Sequence, residues 1–342
     1  MVMEDLQDYK ASIDTPLSFG YREKRLISAP PPASGHVVSL VLQLLDNFSL
    51  DTPKTDRDPI IWNKILEAFR FGYAMRSQTG DAEFSEKTRW VMEQIQNGTW
   101  ARNVMENNME AGPDGVIRPH HNVKDYMDSL PVYENYDGTH TTHVSILGPQ
   151  GEAVSVTSTV NLYFGARIMT DDGIILNNEM DDFGTPGVIN SFGYEAGPEN
   201  LIVPGKRPMS SSSPIIVFNA EGEAQFVTGA AGGSRIITGA LLSVIRALDW
   251  DMDLKKNVNS RRLHDQLNLE TLYEQGTNMD LVDALERIGY RMRERRGAMC
   301  VVTSVSNLRE QTEAEGDPRK EGTGRVVETA DWDPTLWDGT WN

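Results

Sequence analysis

Tyr136-Asp137-Gly138-Thr139-His140-Thr141-Thr142-His143-Val144-Ser145-Ile146-Leu147 is the stretch in which the character of the chain changes. Asp137-Gly138 reads as a turn that closes a polar loop. From His143 onward apolar and polar residues alternate, as they do along a strand with one buried face. Gly148-Pro149-Gln150-Gly151 turns the chain, and alternation resumes over 153–159, so the two runs predict a β-hairpin.

Upstream, the apolar residues follow a different period. Val37, Val38, Leu40, Val41, Leu44 and Leu45 predict a helix that starts after Pro30-Pro31-Pro32-Ala33-Ser34-Gly35. Trp62, Ile65, Leu66, Phe69 and Tyr73 share one face of a second helix over 60–76, where core packing is the expected role of the aromatics. A third helix spans 85–96 and stops at Asn97-Gly98. The first 30 residues are mixed and acidic, and the prolines that follow stop the preceding element. Residues 106–140 hold Gly112-Pro113-Asp114-Gly115, Pro119-His120-His121 and Tyr136-Asp137-Gly138, a loop of a length that compact domains keep for function or processing.

Downstream of the hairpin, strands are expected at 173–176, 214–218, 224–228 and 298–305, with helices at 235–248 and 279–288. Helices, then strands, then a mixture of both predict an α+β or layered sandwich rather than a regular βαβ repeat. Trp332, Trp337 and Trp341 fall in a terminal stretch, 331–342, for which a frayed end is the default.

The chain has 342 residues, 39% apolar and 24% charged, and a formal net charge of −18. Such an acid excess argues against binding to nucleic-acid backbones and to anionic membranes, both of which need clustered Lys and Arg. One cysteine, Cys300, allows no internal disulfide, and its setting in Met299-Cys300-Val301-Val302 predicts a buried small hydrophobe. The apolar runs are too short or too interrupted to span a bilayer, and Met1-Val2-Met3-Glu4-Asp5-Leu6 lacks the basic start of a secretory signal. Asn47-Phe48-Ser49 and Asn97-Gly98-Thr99 are glycosylation sequons, a pattern that also arises often by chance.

Four segments could carry chemistry. Thr139-His140-Thr141-Thr142-His143 places threonines between a flexible loop and a rigid strand. A threonine hydroxyl needs a base, and a threonine at a new N-terminus has one in its own amine. The alternative is a plain polar strand start. His140 and His143, three apart on a strand, point to opposite faces, so metal ligation is not expected. Asn177-Asn178-Glu179-Met180-Asp181-Asp182-Phe183 could grip an ammonium group or be a solvated acidic loop. Pro208-Met209-Ser210-Ser211-Ser212-Ser213-Pro214 could cradle a carboxylate or be a flexible linker. Thr228-Gly229-Ala230-Ala231-Gly232-Gly233-Ser234 lets backbone approach a reacting carbonyl at a helix start, or is a tight turn. Without a Gly-Lys-Ser/Thr ending it is not a nucleotide loop. Asp249-Trp250-Asp251-Met252-Asp253 lacks the glycine and distal glutamate of a calcium loop and reads as an acidic helix end.

Taken in order, these segments resemble the γ-glutamyltransferases, over residues 6–320. The pieces that carry the likeness are Pro30-Pro31-Pro32-Ala33-Ser34-Gly35, Glu67-Ala68-Phe69-Arg70-Phe71-Gly72-Tyr73-Ala74, Thr141-Thr142-His143-Val144-Ser145 and Thr157-Ser158-Thr159-Val160-Asn161. With them go residues 177–183, 208–214 and 229–233, Arg262-Leu263-His264 and Asp317-Pro318-Arg319-Lys320. The resemblance implies a four-layer αββα sandwich of the N-terminal-nucleophile hydrolase type, and a proenzyme that cleaves itself before a threonine. Thr141, rather than Thr139 or Thr142, matches the nucleophile. Residues 1–140 would then belong to the large subunit and 141–330 to the small one.

By the same resemblance, Thr141 attacks a γ-glutamyl carbonyl with its freed amine as base, and Thr159 orients its hydroxyl. Asn161, Glu179 and Asp182 hold the substrate amino group, Ser210 and Ser211 its carboxylate, and the N–H groups of Gly232 and Gly233 form the oxyanion hole. Glutathione and other γ-glutamyl compounds are the implied donors, and water, amino acids or dipeptides the acceptors. No cofactor or metal is implied. The family points to an outward-facing location. The match begins in the second half of the family's large subunit, so the arginine that pairs with the substrate carboxylate and several sheet and helix elements are expected to be missing. The rival expectation is an inert relative that acts as a binding or interaction module.

Overall fold

The computed structural model describes residues 2–51, 55–120, 123–127, 133, 140–188 and 195–327. The tryptophan-bearing end and, within the loop before Thr141, residues 121–122, 128–132 and 134–139 lie outside them. Helices α1 (Met3–Gln7), α2 (Gly35–Leu45), α3 (Pro59–Arg76), α4 (Glu86–Gln96) and α5 (Thr99–Asn108) occupy the first part of the chain, with strands β1 (Leu17–Tyr21) and β2 (Lys24–Ser28). The hairpin is β3 (His140–Leu147) and β4 (Ala153–Asn161), followed by β5 (Ile215–Phe218) and β6 (Ala224–Ala231). Then come α6 (Arg235–Leu248), α7 (Leu254–Asn259), β7 (Leu263–His264), β8 (Thr271–Glu274), α8 (Met279–Ile288), β9 (Met292–Arg295), β10 (Val301–Ser306) and β11 (Glu313–Gly316).

A six-stranded antiparallel sheet in the order β1-β2-β5-β6-β10-β11 forms the centre. Its helix-side face packs on α2 and α6, with α3 beyond, and Leu26, Ile215, Val217 and Phe226 meet Val41, Leu44, Leu241 and Ile245 in one core. Burying each such side chain stabilises by about 1.5–3 kcal/mol. α3 begins at Pro59 because Asp58 accepts hydrogen bonds from the amides of Ile60 and Ile61, a standard cap with proline in the first turn.

On the opposite face the β3–β4 hairpin lies across β6 and β10. Its inward side is polar. Ser145 Oγ donates to the Thr303 carbonyl at 3.0 Å, Ser155 Oγ to the Thr228 carbonyl at 3.1 Å, and Thr303 Oγ1 to the His143 carbonyl at 3.2 Å. Its outward residues Val144, Ile146, Val154 and Val156 are exposed. The described residues thus stack as helices, sheet, sheet, and no helix among them covers the hairpin's outer face. Nor is any described helix long and apolar enough to cross a membrane.

The expected strand at 173–176 does not form. Gly173 takes φ +85° in a tight turn, and only an isolated bridge between Met169 and Ile175 is made. Cys300 is buried as expected, and burial pushes its thiol up. Asp249, expected as part of an acidic helix end, closes α6 as its C-cap, where it accepts from the Tyr21 hydroxyl at 2.6 Å and from Arg22 Nε at 2.7 Å.

Two segments far apart in sequence, Arg262-Leu263-His264 and Asp317-Pro318-Arg319-Lys320, join in a buried ion network. Arg262 reaches Asp317 Oδ2 at 2.8 Å with both side chains 1% exposed, and Arg319 bridges Asp317 and Glu274. Burial works against the Asp317 charge, but Arg262 and the Arg319 amide hold its carboxyl below the usual range. Asp317→Ala leaves Arg262 buried without this partner and should cost about 3–5 kcal/mol, read as a lowered denaturant midpoint. Because the native pKa is depressed, the wild-type contribution is present above the unfolded carboxylate pKa and fades as pH falls through the native value.

Candidate active site

The hairpin's open end is built by register. Thr141 pairs directly with Thr159, and a bulge interrupts the ladder between His140 and Thr141. Side chains two apart share a face, so Thr141 and Thr159 point to the same inward side as His143, Ser145, Ser155 and Thr157. The His143 ring is a crossbar there: Nδ1 lies 2.8 Å from Thr157 Oγ1, and Nε2 lies 3.2 Å from Ser145 Oγ and 3.3 Å from Ser155 Oγ. Burial lowers its pKa to about 4, so the ring is neutral at pH 7. Gly229 on β6 makes room for it, since a Cβ there would sit 2.1 Å from His143 Cε1.

At the end of β4, Asn161 adopts φ +69°, a left-handed conformation that asparagine tolerates better than most residues. Its amide N–H donates to Thr159 Oγ1 at 2.8 Å, and its side chain donates to the Asn178 carbonyl at 3.1 Å. That bond ties the hairpin to the acidic 3₁₀ turn Glu179–Asp182. Asn200 then links the turn to the serine loop, donating to the Asp182 carbonyl at 2.8 Å and accepting from the Met209 amide at 2.9 Å.

The proline-rich segment holds that serine loop from below. The Ser210 amide donates to the Pro32 carbonyl at 2.8 Å, and Ser34 Oγ to the Ser210 carbonyl at 2.6 Å. Arg76, the last residue of α3 and 1% exposed, donates to Ser34 Oγ at 3.1 Å and to Ser211 Oγ at 3.0 Å. After β6, Gly232 takes φ +140° and Gly233 φ +67°, and α6 begins. A side chain on Gly232 would meet Cys300 Cα at 2.9 Å.

These segments enclose one narrow cavity of about 30 Å³, room for roughly a single water. Thr141, Thr159, Asn161, Asp182, Ser210, Ser211 and Gly233 line it. Of the residues expected from sequence, Glu179 and Gly232 stand just outside the wall. Glu179 lies close enough to Asp182 to raise its pKa, and Gly232 precedes Gly233. Arg76, Met209, Ser212 and Ile236 complete the lining and were not expected.

The electrostatics are lopsided. Glu179 Oε1 and Asp182 Oδ1 are both buried with no hydrogen-bond partner among the described residues. Burial first, then the neighbouring Glu179 charge, push Asp182 up to about 7 against the opposing pull of Arg76. Burial likewise raises Glu179. Two under-satisfied carboxyls beside a buried guanidinium and two serine hydroxyls suit a zwitterion: ammonium on the acids, carboxylate on the serines and Arg76.

Known proteins resemble this chain over most of its length. The family model described as gamma-glutamyltranspeptidase matches residues 1–327. The chain is 36% identical over 338 residues to a glutathione hydrolase proenzyme of Arthroderma benhamiae, covering 96% of this chain and 55% of the relative. It is 38% identical over 298 residues to the glutathione hydrolase proenzyme of Escherichia coli, covering 84% and 48%. The chain therefore spans about half the length of these curated relatives. Among solved structures, a γ-glutamyltranspeptidase from Pseudomonas nitroreducens complexed with L-DON superposes with a TM-score of 0.50 at 36% identity, over 55% of this chain and all of that one. A cephalosporin acylase from Bacillus halodurans shares the fold over 96% of this chain and 56% of its own, with a TM-score of 0.75 at 17% identity. A family match along nearly the whole sequence and relatives aligned over most of it lead to one assignment: the chain belongs to the γ-glutamyltranspeptidase family.

Proposed function

We propose that this chain carries the catalytic machinery for γ-glutamyl transfer and hydrolysis, acting on glutathione and related γ-glutamyl compounds. Thr141 acts once the bond to His140 has been cut, so that 1–140 and 141–330 become parts of two subunits. The observation that carries this reading is the single cavity shared by Thr141, Thr159, Asn161, Asp182, Ser210 and Ser211, which come from four separate segments. The bulge between His140 and Thr141 fits a bond destined for cleavage, because it leaves that step of the ladder irregular.

In this mechanism the freed amine of Thr141 takes the proton from its own hydroxyl, and Oγ1 attacks the γ-carbonyl. The oxyanion is held by the Gly232 and Gly233 amides at the start of α6. Collapse expels the leaving amine, which collects the proton, and a γ-glutamyl ester of Thr141 remains. Water, an amino acid or a dipeptide attacks the ester, and the hydroxyl is restored. Thr159 orients the nucleophile. Asn161, Glu179 and Asp182 hold the donor ammonium, and Ser210, Ser211 and Arg76 its carboxylate.

Purified protein mixed with L-γ-glutamyl-p-nitroanilide tests this directly. Release of nitroaniline, faster with a dipeptide acceptor than without, is the expected result. Absence of release from material already cut before Thr141 contradicts it.

A further inference from the structure

A second cleft lies away from the Thr141 cavity, at the amino end of α8. Its volume is about 330 Å³, and Arg57, Arg246 and Arg261 line it together with Trp62, Thr277 and Asn278. In a chain of net charge −18, three arginines around one cleft stand out, and Asp56 is the acid among the described residues that line it.

Arg246 is the informative member. It sits at the end of α6, 2% exposed, and donates to the carbonyls of Asn257 at 3.3 Å and Arg261 at 2.6 Å. Its Nε is buried with no partner, and among the described residues no carboxylate lies within ion-pair distance of it. Its neighbours Arg262 and Arg319 already share Glu274 and Asp317 between them. Burial, then the Arg262 charge, pull Arg246 down to about 9. Glu274 pulls the other way without an ion-pair contact, and a buried cation so incompletely paired is costly, a cost that a bound anion relieves.

The rest of the cleft suits an anion as well. α8 runs for ten residues from Met279, and Asn278 caps it by accepting from the Leu281 amide at 3.2 Å, so Thr277 and Asn278 bring the positive end of the helix to the cleft. Arg261 is exposed and passes over Gly276, where a Cβ would stand 3.3 Å from its Nε. Leu263, Leu281 and Trp62 supply an apolar floor.

We infer that this cleft binds a small phosphate-type dianion, either free or as the head of a phosphate ester, between Arg57, Arg246 and Arg261 at the amino end of α8. Arginine favours such ligands because its planar donors match two oxygens at once.

Calorimetric titration of the full chain tests the inference, with inorganic phosphate in one arm and phenyl phosphate in the other, at pH 7.5 and constant ionic strength. One saturable site is expected. Tighter binding of phenyl phosphate assigns the site to esters, because the ring reaches Trp62; equal or weaker binding assigns it to the free ion. The exposed pair Arg57→Ala/Arg261→Ala, which leaves the core intact, should weaken binding at least tenfold, and Arg261→Lys should recover part of the loss. No saturable binding in either arm, or an affinity unchanged in the double variant, overturns the inference.

Discussion

Thr141→Ala should leave the polypeptide as a single band on a denaturing gel, where the wild-type chain gives two. It should also lower turnover of a γ-glutamyl anilide by at least about 10⁴-fold, the scale on which loss of a nucleophile acts in triad enzymes. Both effects share one cause. In the proposed mechanism the same hydroxyl attacks the backbone during maturation and the substrate afterwards, and alanine has no atom to do either. Thr141→Ser keeps the hydroxyl and should retain cleavage at a reduced rate. The change itself is mild for the fold, because Thr141 is the second residue of β3 and only half-buried.

Asp182→Asn should have the second-largest effect, and it should split stability from function. Truncating one partner of a buried charge pair costs about 2–5 kcal/mol, so substrate affinity should fall by roughly 30- to 5,000-fold. The ligand-free protein should move the other way. Asp182 has its native pKa raised to about 7, so its favourable contribution is complete below the unfolded carboxylate pKa and is lost as pH rises through about 7. Above pH 7 the ionised carboxylate is a burden on the empty site, and asparagine removes it. Thermal unfolding at pH 8 should therefore show the variant at least as stable as wild type. In the wild type, kcat/KM should climb as pH rises toward 7, following ionisation of Asp182 in the free protein. A variant that loses stability at pH 8 and binds substrate normally would place Asp182 in the scaffold instead.

Much of the fold was legible in the sequence because its signals are local. Alternation across 143–147 and 153–159 marked β3 and β4, and helical spacing marked α2, α3, α6 and α8 close to their observed ends. The elements that escaped depend on distant partners. β1 and β2 are joined by Arg22-Glu23, both at positive φ, where a hairpin of this kind normally shows Asn-Gly. Tertiary bonds stabilise that turn: Arg22 donates to the Leu45 and Phe48 carbonyls and pairs with Asp46 and Asp249. β9, Met-Arg-Glu-Arg, has no apolar face to read. α5 follows directly on Asn97-Gly98, which looks like a terminator, yet Gly98 at φ +69° is the residue that starts the next helix.

The site divides in the same way. Thr141, Thr159, Asn161, Asp182 and the serines stood out through a family pattern, and the structure draws them into one cavity. Arg76 did not stand out, since a basic residue closing a helix is an ordinary partner for the helix dipole. Only the packing of α3 under the serine loop turns it toward Ser211. The carboxylate-binding cation expected to be absent from this stretch thus has a candidate in Arg76, and Arg76→Lys, which keeps charge but not the two-pronged geometry, should raise KM more than it lowers kcat.

The most direct measurement is N-terminal sequencing and intact mass of material that turns over a γ-glutamyl substrate. One of the two new ends should read Thr141-Thr142-His143-Val144, with a mass break at the His140–Thr141 bond and nowhere else. Active protein in which residues 140 and 141 are still joined would contradict a threonine that borrows its base from its own freed amine.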